Sequence, residues 1–145
     1  MDRYSGLHRL ASTWMPRNYQ LGSEFPHEGF VQAALERYFA DLGFGVDVDG
    51  HADLVCAHSG SGERWLVEAK GVTSSVGLDF RTGLGQLVQR MTNGSVKYGV
   101  GIPDTKQFLA QCRLVSDWTR MRLGLYWFVV AEDGSVRRYG PDEAL

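Results

Sequence analysis

Long apolar runs are missing from this chain of 145 residues. No stretch approaches the roughly 18 apolar residues that a membrane-spanning helix needs, and the opening MDRYSGLHRL lacks the apolar run of a signal peptide. A soluble, cytoplasmic protein without membrane association is expected. Cysteine is scarce as well. Cys56 and Cys112 sit inside apolar segments at no metal-site spacing, which argues against a disulfide framework or a zinc site and marks both as core thiols. A large excess of one charge is absent: the net charge is −2, so the overall field does not suit a protein that coats nucleic acid. Internal repeats, linkers and low-complexity tracts are lacking too. No Gly-Lys-Ser/Thr follows Gly83 and Gly85, so they read as a flexible helix start and not as a phosphate loop.

The charges that are present are unevenly spread. Residues 1–70 hold six Lys/Arg against ten Asp/Glu, whereas residues 71–145 hold nine against seven. An acidic half that could hold a cation and a basic half that could meet phosphates suit an enzyme acting on phosphodiesters. Hydrophobic residues make up 43% of the chain, enough at this length for one domain with its own core.

Residues 1–24 show no sustained period and read as an arm or irregular segment, with Trp14 and Tyr19 as anchors; residues 25–145 read as the single domain. Val31, Leu35, Tyr38, Phe39 and Leu42 recur at helical spacing between Pro26 and Gly43. Strands are predicted over 44–49, 52–58 and 64–71, the last two joined by the turn SGSG. A helix beginning near Thr82 or Gly85 runs to Met91, with Leu84, Leu87, Val88 and Met91 on its buried face. A strand over 97–103 follows. The longest helix spans 104–124, capped by Asp104 or Thr105, burying Leu114, Val115, Trp118 and Met121 and carrying Arg113, Arg120 and Arg122 as a basic edge or a solvated side. A final hairpin turns through Glu132-Asp133-Gly134. This order predicts an α/β domain with a mixed central sheet.

The stretch WLVEAKGV, residues 65–72, places a carboxylate and an ammonium two positions apart in a strand. Period-2 alternation puts Trp65, Val67 and Ala69 on one face and Leu66, Glu68 and Lys70 on the other. With apolar residues on both faces the strand is expected to be interior, where unpaired charges are costly. Alone, such a pair reads as a surface ion pair worth about 0–1 kcal/mol. Asp53 changes that. Counted outward from the SGSG turn, Asp53 and Glu68 are predicted cross-strand neighbours with Cβ atoms about 5 Å apart. Two carboxylates so close repel unless a cation sits between them, and a divalent ion with hard oxygen ligands meets that need. Lys70 adds a second positive charge, placed to orient a water or to stabilise charge developing on phosphorus.

Asp53 followed by Glu68-Ala69-Lys70 resembles the motif of the PD-(D/E)XK nuclease superfamily. The resemblance covers roughly residues 26–103 and implies a restriction endonuclease-like αβββαβ core with a mixed central sheet flanked by helices, extended here by a C-terminal helix and hairpin. It implies that Asp53, Glu68 and the Ala69 carbonyl bind Mg²⁺, with Mn²⁺ as substitute, while Lys70 assists the nucleophile. Glu28, at the start of the first helix, matches a glutamate of many members as a further metal or water ligand, although acidic residues are favoured in any first helical turn. Gln86 matches a glutamine in the helix after the ExK strand, but Arg90 stands where an aromatic usually follows. His27, His51 and His58 read as surface groups flanking the site, and Glu36 as a solvated helix face. The implied activity is metal-dependent hydrolysis of DNA. Two alternatives stay open: a structure-specific, Holliday junction-like resolvase acting as a homodimer, and a non-catalytic nucleic-acid-binding or assembly module within a larger complex.

Overall fold

A computed structural model describes residues 22–48 and 54–145. Most of the predicted arm, together with His51 and Asp53, lies outside the described residues. Helix α1 (Glu28–Asp41) is followed by strands β1 (Gly45–Val48), β2 (Leu54–Ala57) and β3 (Arg64–Ala69), then α2 (Val76–Gln89) and β4 (Val96–Pro103). Helices α3 (Lys106–Arg113) and α4 (Asp117–Leu123) lead into the hairpin β5 (Leu125–Val130) and β6 (Val136–Tyr139). The strands form one six-stranded sheet in sequence order. β1, β2 and β3 pair antiparallel, β3, β4 and β5 parallel, and β6 antiparallel to β5. The parallel steps are where helices intervene, because two parallel strands need a long crossover whereas antiparallel ones close through short turns.

Each face of the sheet buries its own core. On one face Val31, Leu35 and Phe39 of α1 pack over Val46, Leu54, Trp65, Val67 and Phe128. On the other, Phe80 and Leu87 of α2 and Phe108 and Cys112 of α3 cover Val100, Ile102, Leu125 and Trp127. Alternation along β5 feeds both: Leu125, Trp127 and Val129 go to one core, and Phe128 and Val130 to the other. Each fully buried aromatic or aliphatic side chain contributes about 1.5–3 kcal/mol. Together the two layers give an α/β architecture with a mixed open sheet.

Three expectations are corrected. Helix α2 begins at Val76, not near Thr82 or Gly85. Its buried face is Val76, Phe80, Gly83 and Leu87, while Val88 is exposed; glycines at 77, 83 and 85 dilute the apolar period that would have revealed the first turns. The predicted helix over 104–124 is two helices. Thr105 does cap the first, accepting the Phe108 N–H, but the Ser116 hydroxyl accepts the Thr119 N–H and starts a second. That break rotates the apolar stripe outward. Leu114, Trp118 and Met121 are 76%, 66% and 62% exposed, and Arg122 stacks over Trp118 at 4.7 Å. Leu42, predicted inside, is the exposed C-cap of α1.

Arg120 is neither a basic edge nor solvated. It is buried and donates to the carbonyls of Leu125, Tyr139, Gly140 and Glu143, with its guanidinium over Trp127 at 5.2 Å. Burial depresses its pKa, opposed by nearby Asp117. It fastens the segment after β6 to α4. Among the described residues no helix is long and apolar enough to cross a membrane.

Candidate active site

β3 runs through the middle of the sheet, and its alternation is as predicted: Trp65, Val67 and Ala69 are buried against α1. Leu66, Glu68 and Lys70 are half-buried. That corrects the expectation of a strand interior on both faces. Val100 and Ile102 of neighbouring β4 fill the α2-side core, and Leu66 packs only at its margin. The two charges therefore keep access to solvent, and the several kcal/mol that full burial of an unpaired charge would cost does not arise.

The α2 face positions Lys70. Gly83 is buried in mid-helix, and a Cβ at that position would stand 2.9 Å from Lys70 Cδ and 3.3 Å from Nζ. The lysine stem thus lies directly against the helix backbone. Glu68 and Lys70 come at the C-terminal end of β3, and the Lys70 N–H donates to the Gly101 carbonyl of β4. In a trans peptide the preceding carbonyl points the opposite way. The Ala69 carbonyl is accordingly directed to the β2 side of the strand.

On that side the register is Leu54↔Val67. Asp53, one residue earlier in sequence than Leu54, lies outside the described residues. A further predicted carboxylate lies on α1. Glu28 is its first residue and half-buried. A Cβ on Gly71 would fall 2.0 Å from the Glu28 backbone nitrogen, and the Val72 N–H donates to the Pro26 carbonyl at 2.9 Å. Only glycine permits that approach, so residues 71–72 clamp the first turn of α1 to the end of the ExK strand. Glu28 is brought to the Glu68–Lys70 end of the sheet; Gln86 is exposed on α2, one turn beyond Gly83.

Of the histidines predicted to flank this end, His27 does, since a Cβ on Gly71 would stand 2.5 Å from its carbonyl carbon, whereas His58 does not. His58 Nδ1 accepts the N–H groups of Gly60 and Ser61, which assigns it to the β2–β3 turn at the opposite end of β3 from Glu68. His27 binds the Glu24 carbonyl through Nδ1, while His51 lies outside the described residues. Both thiols are core groups. Burial pushes Cys112 up to about 12 and raises Cys56 further, with the Glu36 charge as a second cause; neither is a thiolate nucleophile at neutral pH. Glu36 is half-buried and not simply solvated.

Two features were missed in the sequence. Gly71 carries a signal that was available, a glycine immediately after a charged strand end. The second is a cleft of about 220 Å³ lined by Val55, Arg64, Leu66, Arg90 and Tyr98. Arg64 lies four residues before Glu68, on the same face of β3 by alternation, roughly 13 Å along the strand. The spacing of Arg64 and Arg90 in sequence gave no hint that they share a cleft.

Among the described residues no three His, Cys, Asp or Glu side chains are grouped to hold a metal ion. No protein-family model matches the chain, and no curated protein matches it.

Proposed function

We propose that this chain is a metal-dependent nuclease with a restriction endonuclease-like, PD-(D/E)XK type of site, hydrolysing phosphodiester bonds in DNA. The observation that carries the reading is the register Leu54↔Val67. It pairs the strand that follows Asp53 in sequence antiparallel with the strand of Glu68 and Lys70, as the sequence-based expectation of Asp53 and Glu68 as cross-strand neighbours requires. The order α1-β1-β2-β3-α2-β4 supports the same reading, since it matches the αβββαβ core.

The donor set fits a hard divalent cation. The Asp53 and Glu68 carboxylates, the Ala69 carbonyl turned to the β2 side and Glu28 from the clamped first turn of α1 would hold the ion, all through oxygen, which suits Mg²⁺ with Mn²⁺ as substitute. Such an ion supplies Lewis acidity and lowers the pKa of a bound water. The chain's own residues do the rest. Lys70, its stem held along α2 at the same strand end as Glu68, is the residue to orient the attacking water or stabilise charge developing on the phosphoryl oxygens. Gln86, exposed on α2, is the residue to hydrogen-bond substrate. Arg64 and Arg90 line a cleft where phosphates farther along the strand would bind.

A cleavage assay tests this. The protein is incubated with single-stranded, duplex and branched DNA and with RNA, in Mg²⁺, in Mn²⁺ and in chelator. DNA should be cut only with metal, and Lys70→Ala should lower the rate by about 100-fold or more with an unchanged circular dichroism spectrum. Cleavage that survives chelation, or a Lys70→Ala protein that cuts as well as the parent, would overturn the assignment. Cutting confined to branched DNA by a dimer would make the enzyme a resolvase. Metal binding without any cleavage would instead support a binding or assembly module.

A further inference from the structure

Helix α2 carries a glycine in its middle that packing on the helix alone does not require. Glycine is disfavoured inside helices relative to alanine, because it leaves more backbone freedom to be lost on folding. Gly85, two residues on, would meet nothing within 4 Å if it bore a Cβ. Gly83 differs. Its Cβ would stand 2.9 Å from Lys70 Cδ, 3.2 Å from Cε and 3.3 Å from Nζ. The outer half of the lysine therefore lies in a slot that exists because residue 83 has no side chain.

From this contact we infer that Gly83 is a positioning residue for Lys70: it fixes where the ammonium stands relative to Glu68. A lysine stem has four rotatable bonds and, at a half-exposed strand end, many rotamers within reach. The slot selects among them. An added methyl is too close to Cδ for the present path, and the flexible stem gives way before the helix does, so the ammonium is displaced while the fold persists. Displacements on the order of 1 Å at a reacting centre cost about a hundredfold in rate. The consequence for rate rests on the nuclease reading; the consequence for the lysine's position does not.

The test uses Gly83→Ala and Gly85→Ala in the full chain, each also combined with Lys70→Ala. Three quantities are read: single-turnover DNA cleavage in Mg²⁺, Mn²⁺ affinity, and the Lys70 ¹³Cε–¹Hε resonance. Gly83→Ala should cut about 10- to 100-fold more slowly, bind Mn²⁺ as the parent does and shift the Lys70 resonance. Gly85→Ala should change none of these. With Lys70 already alanine, Gly83→Ala should slow cleavage no further. An unmoved Lys70 resonance in Gly83→Ala overturns the inference, as does a rate loss that persists in the Lys70→Ala background. So does a Gly83→Ala protein that fails to fold, because the stem would then not be the part that yields. If the parent itself cuts nothing, the nuclease reading fails, and the resonance alone still decides the role of Gly83.

Discussion

Gln32 is wholly buried in α1, and neither its amide oxygen nor its nitrogen has a hydrogen-bond partner among the described residues. Each unsatisfied buried polar atom costs about 1–3 kcal/mol, so an apolar side chain of the same shape should be better tolerated there. Gln32→Met is expected to raise unfolding stability by about 1–3 kcal/mol, measured by urea denaturation. A loss of similar size would show that the amide has a partner. The sequence concealed this residue because polar positions in an amphipathic helix are read as surface, and the period picked out Val31, Leu35 and Phe39 instead. Glu36 was hidden in the same way. Glu68 and Lys70 were legible, since a period of two is strict along a strand and both fall on one face whatever the tertiary context. Their degree of burial was not, because it depends on how neighbouring β4 fills the α2-side core.

At the level of elements, β3 and β4 are joined near their starts by an ion pair. Lys97 Nζ donates to Glu63 Oε1 at 2.8 Å, and the Trp65 indole N–H donates to Oε2 at 2.9 Å. The hydrogen bond from Lys97, then that from Trp65, lowers the Glu63 pKa below its ordinary 4.5. A lowered folded-state pKa stabilises the fold above the unfolded value, and this contribution is lost as pH falls through the folded one. Glu63→Gln should therefore reduce the melting temperature most above pH 5, and the gap from the parent should close as pH falls below 4.5. The pair is one-third exposed or more, so the difference should be no more than about 1 kcal/mol. A gap that widens on acidification would contradict it. Strand positions were readable from apolar alternation and the SGSG turn. The break at Ser116 was not, because a serine inside an apolar helical pattern is as compatible with a continuous helix as with a second cap.

The whole molecule is a six-stranded mixed sheet with helices on both faces. Its two parallel steps bring the C-terminal ends of β3, β4 and β5 to the same edge, the usual place for function in such sheets. Glu68 and Lys70 lie there, and the Gly71 approach brings the first turn of α1, with Glu28, to the same end. Element order was legible because each strand and helix is bounded by glycine, proline or a cap. The close approach of α1 to the end of β3 was not, since it joins residues more than forty positions apart. The central claim is that Asp53 and Glu68 share one divalent cation, and calorimetric titration with Mn²⁺ tests it most directly. The parent should bind one ion, Asp53→Asn and Glu68→Gln should each weaken binding by about tenfold or more, and the double variant should bind little worse than either single one, because both groups serve the same ion. An Asp53→Asn protein that binds Mn²⁺ as tightly as the parent would contradict the account.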